Sequence, residues 1–205
     1  MRLSPGTITI CSLRETIDQT MVMKRLFLIL ALSAACLSAG AQRFTVGTNA
    51  VDWMSLGTMN IEASAAVSRA ISLYVGGGLN PWTFKAGNPE EQLQMRQGTV
   101  RAGARWWPWH IYSGWWMGAD ARYSVYNEGG IIGRETEEGD ALGGGLYGGY
   151  AIMLSDRWNL DLGAGVWGGG KVYTVYACPV CGVKTDAGTK AFILPDARIA
   201  LQLVF

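Results

Sequence analysis

Ala197-Arg198-Ile199-Ala200-Leu201-Gln202-Leu203-Val204-Phe205 closes the chain in a strict two-residue rhythm. Ala197, Ile199, Leu201, Leu203 and Phe205 make one apolar row; Asp196, Arg198, Ala200, Gln202 and Val204 make a row that is mostly small or polar. Alternation of this kind describes a strand whose two faces meet different solvents.

Working back from that strand, the same period runs through almost everything after Arg43, and no stretch carries a capped 3.6-residue period. About eight alternating segments are expected: Phe44 to Ala50, Met59 to Val67, Ile71 to Leu79, Thr99 to Trp106, Gly114 to Tyr126, Leu142 to Leu154, Trp158 to Val166, and Ala197 to Phe205. Each is near the ~9 to 11 residues with which a tilted strand crosses a bilayer. Short turns near Arg69, His110 and Asp156 alternate with longer loops at Val51 to Thr58, Asn80 to Gln97, Asn127 to Asp140 and Trp167 to Lys190. Pro195 marks a bulge or the start of the last strand. The expectation is an all-β, up-and-down antiparallel transmembrane β-barrel following a cleaved N-terminal signal peptide.

Composition agrees with that class. The 205 residues are 49% hydrophobic and only 16% charged, few charges for a soluble domain. No run of about 18 apolar residues offers a spanning helix. The 28 Gly and 9 Trp suit a narrow lumen and aromatic girdles. Trp106, Trp107, Trp109, Tyr112, Trp115, Trp116 and Trp158 gather at the turn end as one girdle, with Trp53, Trp82, Phe84, Tyr123, Trp167 and Tyr173 at the other rim. A formal charge of +1 gives no basic field for nucleic acid.

The N-terminal fifth reads as targeting. Lys24 and Arg25 precede the apolar run Leu26 to Ala35, and Ala39-Gly40-Ala41 fits a cleavage site, so residues 21–41 are a signal peptide and 42–205 the barrel. Residues 1–20 are an over-extended start or an unstructured extension, and a lipoprotein acylated at Cys36 is the rival reading. Cleavage removes Arg2, Arg14, Lys24 and Arg25 with Glu15 and Asp18. It leaves 13 basic and 14 acidic groups, a net charge of −1.

Candidate chemistry lies on the polar rows. Glu62, Arg101, Arg105, Asp120, Arg122, Asp161 and Arg198 would project inward as a lumen charge network. A hairpin reversing at His110 and Ile111 would set Arg101 opposite Asp120 and Thr99 opposite Arg122. In so narrow a lumen these charges plug and fix register; a selective pore or a catalytic carboxylate pair is the functional alternative. His110 is the only histidine and falls in a turn, which argues against a Ser-His-acid set and against an enzyme. Cys178 and Cys181, the only thiols left after cleavage, suit a loop-tip disulfide, half a zinc site or a redox pair. No third ligand or helix terminus accompanies them, so no metal or cofactor is expected.

The chain also resembles a known family. The likeness rests on Asn49, Asn60, Glu62, Asn80-Pro81-Trp82-Thr83, Arg105-Trp106-Trp107, Tyr126-Asn127 and Cys178-Pro179-Val180-Cys181-Gly182. These resemble an uncharacterised family of small outer-membrane barrels from gut-type Gram-negative bacteria, domain of unknown function number 3575. Phe205 likewise resembles the terminal assembly signal of outer-membrane barrels. The resemblance implies a place in the cell outer membrane, with its lipid and the barrel-assembly machinery as partners, and brings no activity. The expected role is therefore non-catalytic: long outward loops binding an extracellular or envelope protein, above a plugged lumen. An outer-membrane enzyme acting on lipid or peptide, using Glu135, Glu137, Glu138 or Asp140, is the alternative, and a small pore the second.

Overall fold

A computed structural model describes residues 43–85, 91–130, 134–179 and 181–205. The readings of residues 1–20, of the leader at 21–41 and of Cys36 lie outside the described residues, as does Val180.

The elements are β1 (Phe44–Asn49), α1 (Ala50–Met54), β2 (Met59–Ala66), β3 (Ile71–Asn80), β4 (Thr83–Phe84), β5 (Leu93–Trp106), β6 (Gly114–Gly129), β7 (Thr136–Met153), β8 (Trp158–Tyr176) and β9 (Lys184–Val204). All the strand pairings are antiparallel, and sequence neighbours pair except for β3 and β4. β1 also pairs with β9, and β3 with β5, so eight long strands close in a barrel-like ring with β4 appended to β5.

The register gives the ring its stagger. Stepping between partners from Gly114 leads to Ala151, Asp161, Ala200 and Asn49. Extending the Gly47–Glu62 register by two residues takes Asn49 to Asn60, and the path continues through Gly78 and Thr99 to Ser124. One circuit thus returns to β6 ten residues along, from 114 to 124. A closed sheet has such a stagger only if its strands tilt, by about 35–45°.

Side chains sort by row as the sequence rhythm requires. The inner rows bury Thr45, Glu62, Ser64, Ser72, Arg105, Arg122, Asp161, Arg198 and Gln202, while Ile61, Leu73, Val100, Met117, Leu146, Val166 and Leu201 stand exposed on the outer rows. The usual arrangement of a soluble protein is reversed. The apolar core is correspondingly small: Trp107, Tyr112, Trp116, Ala151 and Val204, packed inside the turn end.

Three expectations are corrected here. The loops foreseen at Asn127 to Asp140 and Trp167 to Lys190 are mostly strand, since β6 to β9 run 16 to 21 residues and leave only short connections. Above the apolar rows both faces are polar, so the hydrophobic alternation vanishes while the backbone pairing continues. Val51 to Thr58 holds a short helix, capped by the Asn49 side chain accepting from the Val51 N–H. Pro195 sits mid-strand in β9 opposite Val166, and the irregularity in that ladder falls at Val175 and Tyr176.

The β5–β6 register is also two residues from the one expected. Arg101 lies opposite Arg122, Gly103 opposite Asp120 and Thr99 opposite Ser124. The reversal is centred one residue later because Tyr112 at φ 60° and Gly114 at φ 79° take the left-handed turns, and His110 bridges to Ser113.

Strand lengths climb around the ring from 6 residues in β1 to 21 in β9. The tallest strand therefore stands beside the shortest. Among the described residues, β9 has no strand partner on its β1 side beyond Ala200, and there Asn49 accepts a hydrogen bond from the Ile199 N–H at 3.0 Å. Pro195, which has no N–H to leave unpaired, suits such an edge.

Candidate functional site

The seven foreseen charges do meet inside the ring, with partners set by the tilt of the strands rather than by direct cross-strand opposition. Glu62 of β2 is the hub. Its carboxylate receives Arg105 at 2.7 Å, Arg198 at 2.8 Å and Arg101 at 3.2 Å, so one buried acid joins β2, β5 and β9. Arg198 also donates through Nε to Asp161 at 2.6 Å, and Asp161 accepts from Trp116 Nε1 at 2.6 Å and Gln202 at 3.2 Å.

Arg122 anchors a second cluster, donating to Asp196 and to the Tyr147 hydroxyl, both at 2.6 Å, with Asp120 at 3.7 Å. Tyr74 donates to Asp120 at 3.1 Å. Asp120 therefore faces Tyr74 and Arg122, and the expected Arg101–Asp120 pair does not form. Four arginines, Arg101, Arg105, Arg122 and Arg198, meet four acids, Glu62, Asp120, Asp161 and Asp196. Such balance is what allows so many charges in so little space, because an unpaired buried charge costs several kcal/mol.

Asp196, Tyr74, Tyr147 and Trp116 complete the network and were not foreseen as members. Asp196 was legible on the polar row of the last strand. Tyr74 and Tyr147 were legible only by the parity of their strands, and Trp116 was expected in the girdle.

Of the expected turn-end girdle, Trp107, Tyr112 and Trp116 point inward and are essentially inaccessible, while Trp106, Trp109, Trp115 and Trp158 remain outside. Every second residue of a strand faces inward, and these three fall on that row or on the turn that folds beneath it. Trp107 meets Tyr112 edge-on at 5.7 Å and Trp116 at 6.3 Å, and donates to Ser72 at 3.0 Å. The Arg105 guanidinium lies over Tyr74 at 4.2 Å and Trp116 at 4.9 Å. At the far rim Trp53, Trp82, Phe84 and Tyr123 are exposed as expected, but Trp167 faces inward, meeting Phe192 edge-on at 4.5 Å beneath Arg122.

Space inside follows from this filling. The gap among Tyr74, Arg101, Arg105, Asp120 and Arg198 is about 10 Å³, room for about one water. Above it, Asp52 of α1, Thr99, Arg101 and Arg122 line a chamber of about 140 Å³. Arg101 lines both spaces.

A family model matches residues 26–205, nearly the whole chain, under the description protein of unknown function, DUF3575. The chain belongs to the DUF3575 family. No curated protein and no solved structure matches it.

In this DUF3575 chain the tall strands β6 to β9 form a wall beyond the ring, where the residues foreseen as loop acids lie. Glu138 accepts from Asn127 at 3.1 Å and Tyr176 at 2.6 Å, and Asp140 from Tyr123 at 2.6 Å. Glu137 accepts from Lys171 and from Tyr126, at 2.6 Å from the latter. Burial works to raise the Glu137 pKa, but the bonds from Lys171 and Tyr126 hold its carboxyl below the usual range. Glu128 is raised instead, by burial and the nearby Glu137 charge. Glu137, Glu138 and Asp140 are thus held by hydrogen bonds from neighbouring strands, whereas Glu135 is exposed just before β7. His110, exposed in its turn, stands well apart from them.

Cys178 and Cys181 are joined as a disulfide at the tip of the β8–β9 hairpin. A ring so small removes little chain entropy, since that contribution grows with loop length. Cys178→Ser with Cys181→Ser is accordingly expected to lower the unfolding free energy by no more than about 2 kcal/mol. Amide exchange should quicken only around residues 177–183. A global loss of protection would show that the bridge holds more than the tip.

Proposed function

We propose that this protein is a non-catalytic outer-membrane β-barrel, its lumen sealed by the charge network and the aromatic floor, and its tall β6–β9 wall the surface that meets a partner outside the cell. The inside-out distribution of side chains carries this reading. On the outer rows, from the turn end up to Arg96 and Asp140, no described residue is charged. Along β6 this band runs from Trp115 to Val125, about 33 Å of strand. At a tilt of ~40° that is about 25 Å, the height of an outer-membrane apolar belt.

Among the two other roles, a pore is disfavoured by the small space left among the lumen charges and an enzyme by the hydrogen bonds that hold Glu137, Glu138 and Asp140. Phe205 would act as the terminal assembly signal, read by the barrel-assembly machinery. The leader would deliver the chain to an oxidising compartment, in keeping with the disulfide. The wall would engage an extracellular or envelope protein, with its Cys178–Cys181 tip as a fixed end. No nucleic acid is involved.

Fractionation tests the reading. The protein should sediment with outer membranes, resist carbonate extraction and migrate faster on gels when unheated than when boiled. In planar bilayers it should add no stable conductance. Recovery as a soluble periplasmic protein would overturn the membrane assignment, and large ion-selective channels would overturn the seal.

A further inference from the structure

A groove of about 680 Å³ crosses β3, β5, β6, β7 and β8 near their upper ends. Its two banks are neighbouring outward rows of the sheet. Leu79, Gly98, Val125, Asp140 and Val172 form the lower bank. Arg96, Asn127, Glu138 and Thr174 form the upper one. The floor is the backbone of the row between them, and Gly98 leaves open space where a side chain would otherwise fill the lower bank.

The chemistry is graded across the groove. Below it lies the uncharged apolar belt, continued by the exposed side chains of Leu79, Val125 and Val172. On the upper bank a carboxylate, an amide, a hydroxyl and a guanidinium offer both donors and acceptors, and Asp140 adds a second carboxylate from the lower bank. Glu138 and Asp140 are already held in place by Asn127, Tyr176 and Tyr123, with one Asp140 oxygen left to accept. Arg96 is exposed and makes no hydrogen bond or ion pair among the described residues. An anionic headgroup would meet two fixed carboxylates against one arginine. A neutral headgroup rich in hydroxyls meets fixed planar acceptors and a free five-donor fork, the pattern that holds vicinal hydroxyls.

We infer that this groove is a binding site for the sugar headgroup of a membrane glycolipid, whose acyl chains lie against the apolar belt below. The inference rests on the outer-membrane reading, because only a chain embedded to the level of Tyr123 presents the groove at headgroup depth. Sugar hydroxyls bridge Asp140, Glu138 and Arg96, and lipid attachment supplies most of the retention. A free sugar therefore binds far more weakly than the same sugar on a lipid.

The test uses the full mature protein in nanodiscs of phosphatidylethanolamine and phosphatidylglycerol, with or without a few per cent of digalactosyl diacylglycerol, followed by release in native mass spectrometry. The galactolipid should remain as a one-to-one adduct, enriched at least tenfold over either phospholipid. Arg96→Ala with Asp140→Asn should remove that enrichment while leaving heat-modifiable migration intact. Digalactose alone should give no adduct at the same concentration. Equal retention of all three lipids, or enrichment unchanged in the double variant, would overturn the site. Retention of free digalactose as strongly as the lipid would overturn the amphiphilic assignment. Failure to enter nanodiscs at all would instead remove the membrane reading beneath it.

Discussion

Glu62→Leu should be the most damaging single change inside the ring. The substitution keeps bulk but removes the carboxylate that three guanidiniums share at 2.7 to 3.2 Å. Arg198 would still reach Asp161, whereas Arg101 and Arg105 would have no carboxylate within ion-pair range among the described residues. Breaking a buried pair by deleting one partner costs about 3–5 kcal/mol, because it strands charge in a low-dielectric site. The expected result is a fall of that size in unfolding free energy, read from urea midpoints after refolding into detergent. Glu62→Gln should lose less, since the amide oxygen still accepts from one arginine. A midpoint within about 0.5 kcal/mol of the parent would mean that water enters the network and screens it.

Trp116→Ala should rank second, and it comes with a partner that reverses sign. The indole is about 2% exposed, donates to Asp161, lies beneath Arg105 and packs on Trp107. Truncating a buried Trp typically costs about 3–5 kcal/mol. Gly163 makes room for that ring: a Cβ placed there would lie 2.8 Å from the indole Cζ2. Gly163→Ala alone should therefore destabilise, because the indole must move. In the Trp116→Ala background the same methyl enters the vacated space, so its cost should vanish or change sign. A double-mutant cycle measures the difference. Additive effects would show that the indole and Gly163 do not compete for space.

The sequence made the ring legible because its outer rows are apolar and its inner rows are not. Ile71, Leu73, Val75 and Leu79, or Leu142, Leu146 and Tyr150, fall on one face whatever the partner strand is. Where both faces meet polar surroundings, that contrast disappears. Thr136 to Asp140, Lys171 to Tyr176 and Lys184 to Lys190 consequently read as loops, although their backbones pair across β6 to β9.

The site was legible to the same depth. Inward parity named Glu62, Arg101, Arg105, Asp120, Arg122, Asp161 and Arg198, but parity does not state which strands face one another across a lumen. Glu62 and Arg198 are 136 residues apart and meet because β1, between their strands, is one narrow step of the ring. The hairpin register depended on two left-handed residues of the turn, Gly114 and Tyr112, and the positive φ of the latter is one that no composition rule anticipates. Trp107, Tyr112 and Trp116 were misassigned to the girdle because an aromatic near a turn can face either way.

The claim on which everything else rests is that the outer rows face lipid. It is tested most directly with Leu146→Cys and Thr189→Cys, each in the Cys178→Ser, Cys181→Ser background, labelled with a fluorophore and reconstituted into vesicles. Leu146 lies on the outer row of β7 and is 68% exposed, whereas Thr189 lies on β9 in the wall beyond the ring. The account predicts that the label at 146 is quenched by a bilayer-confined nitroxide and shielded from iodide, and that the label at 189 behaves in the opposite way. Iodide quenching both labels equally, with no effect of the lipid-bound quencher at 146, would contradict it.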